Sequence, residues 1–388
     1  MIIDASDPVA LLGHLVKCPS ITPEEGGALE VLQEVLEEIG FDCTRLVFSD
    51  TDTPDVDNLF ARIGSGSPHF CFAGHTDVVP PGNEDDWSHP PFSATIDNGF
   101  LYGRGASDMK GGIAGFVAAL KRFLDARSGS FEGSISLLIT GDEEGPALNG
   151  TVKVLKWMAD NDHNPDHCIV GEPTSVSTVG DMIKIGRRGS INGHLIIEGI
   201  QGHVAYPQKA RNPFDLMVRI LDRLNSETLD SGNEHFQPSN LEITAIDTNN
   251  PATNVIPART EARFNIRYND TYSSDSIAAH ITAICHEVAG AQSGDLQLSF
   301  QASGDSFLTN PDDFVDGVCA SITAKTGLTP EMSTGGGTSD ARFITHYCPV
   351  IEFGAVAENI HGIDERANVE NLEIVVDIYQ DFLGRYFS

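Results

Sequence analysis

Phe70-Cys71-Phe72-Ala73-Gly74-His75-Thr76-Asp77 is a short apolar run that stops on a histidine and an acid. Such a run reads as one buried strand. The same handover recurs three times. Ser136-Leu137-Leu138-Ile139-Thr140 leads into Gly141-Asp142-Glu143-Glu144, Cys168-Ile169-Val170-Gly171 leads into Glu172-Pro173, and Val350-Ile351-Glu352-Phe353-Gly354 runs toward Asn359-Ile360-His361. Strands of this kind alternating with helical patterns predict an α/β fold, a mostly parallel sheet covered by helices. Ligands of open α/β sheets gather outside the carboxyl ends of the strands. Residues distant in sequence therefore converge, and these are two histidines and several carboxylates, a donor set suited to zinc, cobalt or manganese.

A further acid, Asp108, stands in Gly103-Arg104-Gly105-Ala106-Ser107-Asp108-Met109-Lys110-Gly111-Gly112, at the mouth of an apolar helix. In isolation it reads as an N-cap. The surrounding glycines instead allow close approach of backbone to something bound, and a carboxylate there can bridge two ions. His75 and Asp77 project to the same side of an extended chain, so the Asp77 carboxylate is expected to hold the imidazole. Glu143 and Glu144 are adjacent and point apart. One suits coordination, the other proton transfer from water activated by metal. Two divalent ions are balanced by Asp108, Glu144, Glu172 and one hydroxide, with His75 and His361 as neutral ligands, which avoids an uncompensated buried charge. The chemistry implied is hydrolysis at a carbonyl.

Outward from these motifs, the chain organises into two parts. Asp7-Pro8 predicts a capped helix over 9–16, and Thr22-Pro23-Glu24-Glu25 a capping box opening a helix that ends at Gly40. Around residue 182 the rhythm changes to β-α-β-β-α-β, the order of a ferredoxin-like α+β unit. His361 must rejoin the earlier ligands, so 182–302 reads as an insertion into a metal-binding domain made of 1–181 and 303–388. At 388 residues two domains are expected.

A net charge of -32 excludes nucleic-acid and anionic membrane partners. No stretch approaches a membrane span. The seven cysteines are scattered without a C-x-x-C pair, and the N-terminus lacks a basic and apolar leader, so a reduced, cytoplasmic setting is expected. Only eight of the 24 basic residues are lysine, a balance that suggests a saline or cold habitat.

Taken with their spacing, these motifs resemble the metal-dependent aminoacylase and carboxypeptidase family over essentially the whole chain. The resemblance implies a zinc-exopeptidase-like catalytic domain with His75, Asp108, Glu144, Glu172 and His361 as ligands of two ions, zinc or cobalt. It implies Glu143 as base, Asp77 as supporting acid, and the inserted domain as a dimerisation or lid domain. Gly186-Arg187-Arg188-Gly189-Ser190, Gln201-Gly202-His203-Val204-Ala205, Asn254-Val255-Ile256-Pro257, Phe264-Asn265-Ile266-Arg267 and Gly335-Gly336-Gly337-Thr338 are most similar to the family's succinyl-amide hydrolases. That likeness implies a homodimer in which His203 reaches the partner's active site and steadies the oxyanion. A small substrate with a succinyl carboxylate needs a fixed cation and directed donors. Arg187, Ser190, Asn254, Arg267 and the amides of Gly336, Gly337 and Thr338 supply such groups. An acetyl-amide hydrolase, a broader aminoacylase, and a metal-stabilised binding protein without catalysis stay open as alternatives.

Overall fold

In the computed structural model, which describes residues 3–388, the strand His69–His75 is buried along its whole length because it lies inside an eight-stranded sheet. The order is Asp42–Phe48, Val56–Ser65, Gly133–Thr140, His69–His75, His167–Val170, Val350–Glu352, Met182–Lys184, Glu331–Ser333. The four central strands, Gly133–Thr140 through Val350–Glu352, pair in parallel. The first two strands are antiparallel additions. The sheet is α/β in character, mostly parallel, with its parallel part in the middle where helices cover it. Register places His75 opposite Thr140 and Ala73 opposite Val170, so three apolar runs end side by side.

The helix Gly111–Ala126 buries Ile113, Phe116, Val117 and Leu120 and packs on the closing helix Val369–Tyr386. Phe116 stacks on Phe72 with ring centroids 4.1 Å apart, which seats the helix on the middle strand. Its first turn approaches the sheet very closely. A Cβ at Gly112 would lie 2.1 Å from the Gly171 carbonyl, so glycine is what lets the Asp108 turn reach the strand end that precedes Glu172.

Several local readings differ from the sequence expectation. The first helix, Pro8–Val16, is capped by Asp7 as expected. The second is Ala28–Glu38 and begins at a left-handed Gly27 without a side-chain cap. Thr22 to Glu25 therefore forms no capping box, because Gly26 and Gly27 turn the chain before the helix starts; Glu25 still accepts the Leu29 amide at 3.1 Å. Asp108 is no N-cap either. It has extended φ/ψ inside an irregular turn, and no side chain caps Gly111–Ala126. The edge strand Asp42–Phe48 and a small antiparallel sheet of Thr95–Asp97, Phe100–Tyr102 and Arg366–Asn368 are additional.

The chain divides into two compact units: one reaches Ile185 and includes Thr309–Ser333 and Ser339–Ser388, the other is Gly186–Leu308 with Thr334–Thr338. The division falls a few residues later than the sequence expectation of 182 and 302. The reason is pairing: Met182–Lys184 belongs to the large sheet beside Glu331–Ser333, while Gly186–Arg187 pairs with Phe307–Leu308.

The second unit carries a four-stranded antiparallel sheet in the order Asn240–Asp247, Arg259–Tyr268, Gly189–Glu198, Leu296–Gly304. The helices Phe214–Asn225 and Ser274–Ala289 complete the β-α-β-β-α-β order. Leu195, Ile197, Ile220, Phe264, Ile277 and Ile281 form a core of its own. Among the described residues no helix is long and apolar enough to cross a membrane.

Candidate metal centre

Four strand ends and one turn bring the acidic and histidine residues together within the first unit. His75 closes its strand fully buried. Its Nδ1 donates to the backbone carbonyl of Asp77 at 2.9 Å. That bond orients the ring and aims Nε2 at the site, where Nε2 has no hydrogen-bond partner. The expected carboxylate–histidine bond is thus replaced. The Asp77 carboxylate lies 3.6 Å from Nδ1 and accepts instead from the amides of Glu143, at 3.3 Å, and Glu144, at 3.0 Å. One acid therefore ties the His75 strand end to the Glu143–Glu144 turn.

Asp108 sits between the two histidines. Its Oδ1 is 3.3 Å from His75 Nε2 and its Oδ2 is 3.3 Å from His361 Nε2. Glu172 approaches His75 Nε2 at 3.7 Å, and Glu144 approaches His361 Nε2 at 2.8 Å. Donor atoms of His75, Asp108 and Glu144 all lie within 4.8 Å of one another. Each histidine thus has its own glutamate, and both share Asp108 through separate oxygens. Carboxylate and imidazole donors in two sets of three, with a buried unpartnered Nε2, fit a pair of divalent cations.

The electrostatics agree. Burial would lower His75, but the Asp108 carboxylate 3.3 Å from Nε2 and the charges of Glu143, Glu172 and Asp77 push it well above the usual imidazole range. Hydrogen bonds to Asp108 and Glu144 push His361 up to about 10. Burial opposes ionisation of Asp108, yet His361 and His75 hold it well below the ordinary carboxylate range. Burial raises Glu172 well above its usual value and Asp77 to about 6. Burial also raises Glu143 to about 8; the His75 charge lowers it, and the charges of Asp340, Glu144 and Asp108 raise it further. The carboxylates around both imidazoles favour positive charge in the pocket, which a bound cation would supply in place of the imidazole protons.

The remaining expected site residues, His203, Arg187, Ser190, Asn254, Arg267, Gly336, Gly337 and Thr338, all belong to the second unit. Ser190 pairs with Arg267 across adjacent strands, and Arg267 Nη1 is a buried donor without a partner. Arg187 donates to the Gly335 carbonyl at 3.0 Å. A Cβ at Gly336 would lie 2.6 Å from Arg187 Nη1, so this glycine keeps the loop against the guanidinium. His203 and Asn254 lie on one ribbon, with the Val204 amide donating to the Asn254 carbonyl at 3.1 Å. The exposed His203 accepts the Ala205 amide at Nδ1, 3.0 Å away; its proton therefore sits on Nε2, facing outward as a donor.

Sequence reading passed over Glu365 and gave Arg104 no role. Both are buried, and they form an ion pair beside Asp108. The only signal available was an acid in a polar loop four residues after His361.

The profile of peptidase family M20/M25/M40 matches residues 71–385. A succinyl-diaminopimelate desuccinylase of Rhodopseudomonas palustris is 53% identical over 385 residues, 98% of each chain. Among solved structures, a tripeptidase from Staphylococcus aureus superposes with a TM-score of 0.80 at 18% identity, covering 100% of this chain and 99% of that one. A dinuclear metal-binding M20 peptidase from Bacillus subtilis superposes with a TM-score of 0.72 at 15% identity, covering 99% and 98%.

Proposed function

The chain belongs to peptidase family M20/M25/M40, and on that premise we propose that it hydrolyses the amide of N-succinyl-LL-2,6-diaminopimelate. The products are succinate and LL-2,6-diaminopimelate, in the biosynthesis of lysine and diaminopimelate. The observation that carries the reading is Asp108 dividing its two oxygens between His75 and His361, with a half-buried Glu143 beside them.

His75, Asp108 and Glu172 would hold one divalent ion, and His361, Asp108 and Glu144 the other, with zinc preferred over cobalt on donor chemistry. Bound there, such ions would supply polarisation of the amide carbonyl and acidification of the attacking water, whose pKa would fall toward roughly 7.

Glu143 does the proton work. Its carboxylate takes the proton of the attacking water, and the resulting carboxylic acid returns it to the leaving amine. Burial makes this group a stronger base than an exposed glutamate. Asp77 keeps Glu143 and Glu144 in place by accepting both their amides. His203, with its proton on Nε2, donates to the developing oxyanion. Arg267 and Arg187, with Ser190, Asn254 and the amides of Gly336, Gly337 and Thr338, bind the succinyl carboxylate. A planar guanidinium suits that group better than an ammonium would.

The enzyme works as a homodimer in the cytoplasm, His203 being supplied by the partner through the inserted domain. The supports for this are the exposed ribbon that carries His203 and the cysteines, all of them free among the described residues.

The deciding experiment measures turnover of the succinyl substrate and its acetyl counterpart by zinc-reconstituted protein, with and without chelator. Fast succinyl cleavage abolished by chelator is expected. Equal rates on both amides would replace the reading with a broader aminoacylase.

A further inference from the structure

His361 sits in a strained place. It has a left-handed backbone, φ 59°, as do Asn359 and Asp364 in the same loop. Non-glycine residues hold such conformations only where the surroundings fix them. The fixing contacts converge on one buried ion pair. Arg104 Nη1 donates to Glu365 Oε2 at 2.6 Å, and Arg104 Nη2 reaches the carbonyl of His361 at 3.3 Å. The other oxygen of Glu365 accepts the amides of Ser107, at 3.0 Å, and Asp108, at 3.1 Å.

The same two segments are stitched again on either side. The Gly103 amide donates to the Glu365 carbonyl at 2.8 Å. Ser107 Oγ accepts the Glu358 amide at 3.0 Å. Arg366–Asn368 pairs with Phe100–Tyr102. The Asp364 carboxylate accepts both the amide and the hydroxyl of Ser88, at 2.7 and 2.8 Å. The Arg104 guanidinium also faces the Trp87 ring, 5.3 Å from its centroid.

We propose that Arg104 and Glu365 are positioning residues that lock the backbone of Asp108 to the backbone of His361, setting the reach of the shared carboxylate to the second imidazole. The inference rests on the two-cation reading above. A buried ion pair is a poor source of net stability, since desolvation offsets its attraction. Its retention beside a strained ligand is explained by geometry. The fork of an arginine can hold Glu365 and the His361 carbonyl together, whereas a lysine has a single ammonium and no fork. His75 and Glu172 receive no contact from either member of the pair among the described hydrogen bonds and ion pairs, so the effect is expected on one side of the centre.

The test titrates cobalt(II) alone into metal-free protein, read by calorimetry and visible absorption. The proteins compared are wild type, Arg104→Lys, and the neutral pair Arg104→Gln with Glu365→Gln, which leaves no unmatched buried charge. Wild type should take up two ions. Each variant should fold and weaken one uptake step by about 10- to 100-fold, moving the other far less. In a His361→Ala background the same substitutions should add little further loss, because the contact acts through His361.

Unchanged uptake in the folded variants overturns the positioning role. So does equal loss at both steps, or a loss that persists in full without His361. Failure of wild type to take up cobalt instead removes the two-cation reading itself, and this inference with it.

Discussion

Replacing Glu143 by glutamine keeps the shape of the side chain and removes its ability to accept a proton. The expected outcome is a fall in kcat of about 10²- to 10⁴-fold, while metal content by elemental analysis stays at the wild-type level because Glu144 and not Glu143 touches His361. Turnover that survives would strip Glu143 of its role as base. Arg267→Lys keeps a cation but loses the fork. The kcat/KM for the succinyl amide should drop about 10- to 100-fold, with little change for the acetyl amide. A parallel drop on both substrates would place Arg267 outside carboxylate recognition. At this scale the sequence was readable where a side chain ends an apolar strand, as His75 and Glu172 do. It was opaque where a contact runs through backbone. Nothing in His75-Thr76-Asp77 says that the carbonyl of Asp77 takes the imidazole proton and leaves the carboxylate for two amides.

Elements carry their own tests. The helix Gly111–Ala126 meets the sheet at Gly112, where a methyl group would strike the Gly171 carbonyl. Gly112→Ala should lower stability by about 1–3 kcal/mol and weaken metal uptake by pushing the Asp108 turn away from Glu172. A denaturant melt unchanged from wild type would show that the contact yields freely. The strand His69–His75 opens on a buried histidine whose Nδ1 lies 3.0 Å from the Asn164 carbonyl and whose Nε2 lies 2.8 Å from Ser136 Oγ. Burial, and then the Arg62 charge, push His69 down to about 4 from the usual 6.5. The unfolded chain therefore binds a proton between pH 6.5 and 4 that the folded chain does not. Stability from this group is complete above pH 6.5 and is lost as pH falls toward 4. In His69→Gln the pH slope of stability across that window should be shallower by up to about one proton, as read from denaturant melts at successive pH values; an unaltered slope would mean His69 titrates normally. Element types were legible because buried strands and amphipathic helices write a periodic pattern. The strand Asp42–Phe48 was not, since an edge strand with Val47 exposed carries little alternation. The capping-box reading failed at Gly26 and Gly27, whose left-handed turns outrank the local cap signal.

For the molecule as a whole, what the sequence displayed most openly is charge, and charge bears on stability more than on fold. With 56 acidic against 24 basic residues the net value is -32. The surface ion pairs that exist, such as Lys121 with Asp125 and Arg122 with Glu373, are each worth little. Most acids therefore repel one another at low ionic strength, and that repulsion is relieved when the chain expands. Thermal stability should accordingly rise with sodium chloride. The form of the rise separates two causes. Screening acts chiefly below about 0.1 M, where the Debye length shortens from about 30 to about 10 Å. Exclusion of salt from the protein surface acts only at higher concentration and depends on the anion. Melting curves in chloride and in sulfate at matched ionic strength should coincide up to about 0.1 M and rise by several degrees over that range. A flat curve there would mean that the carboxylates are already compensated, by partner pairing or by bound cations, and that the acidity reflects no adaptation to salt.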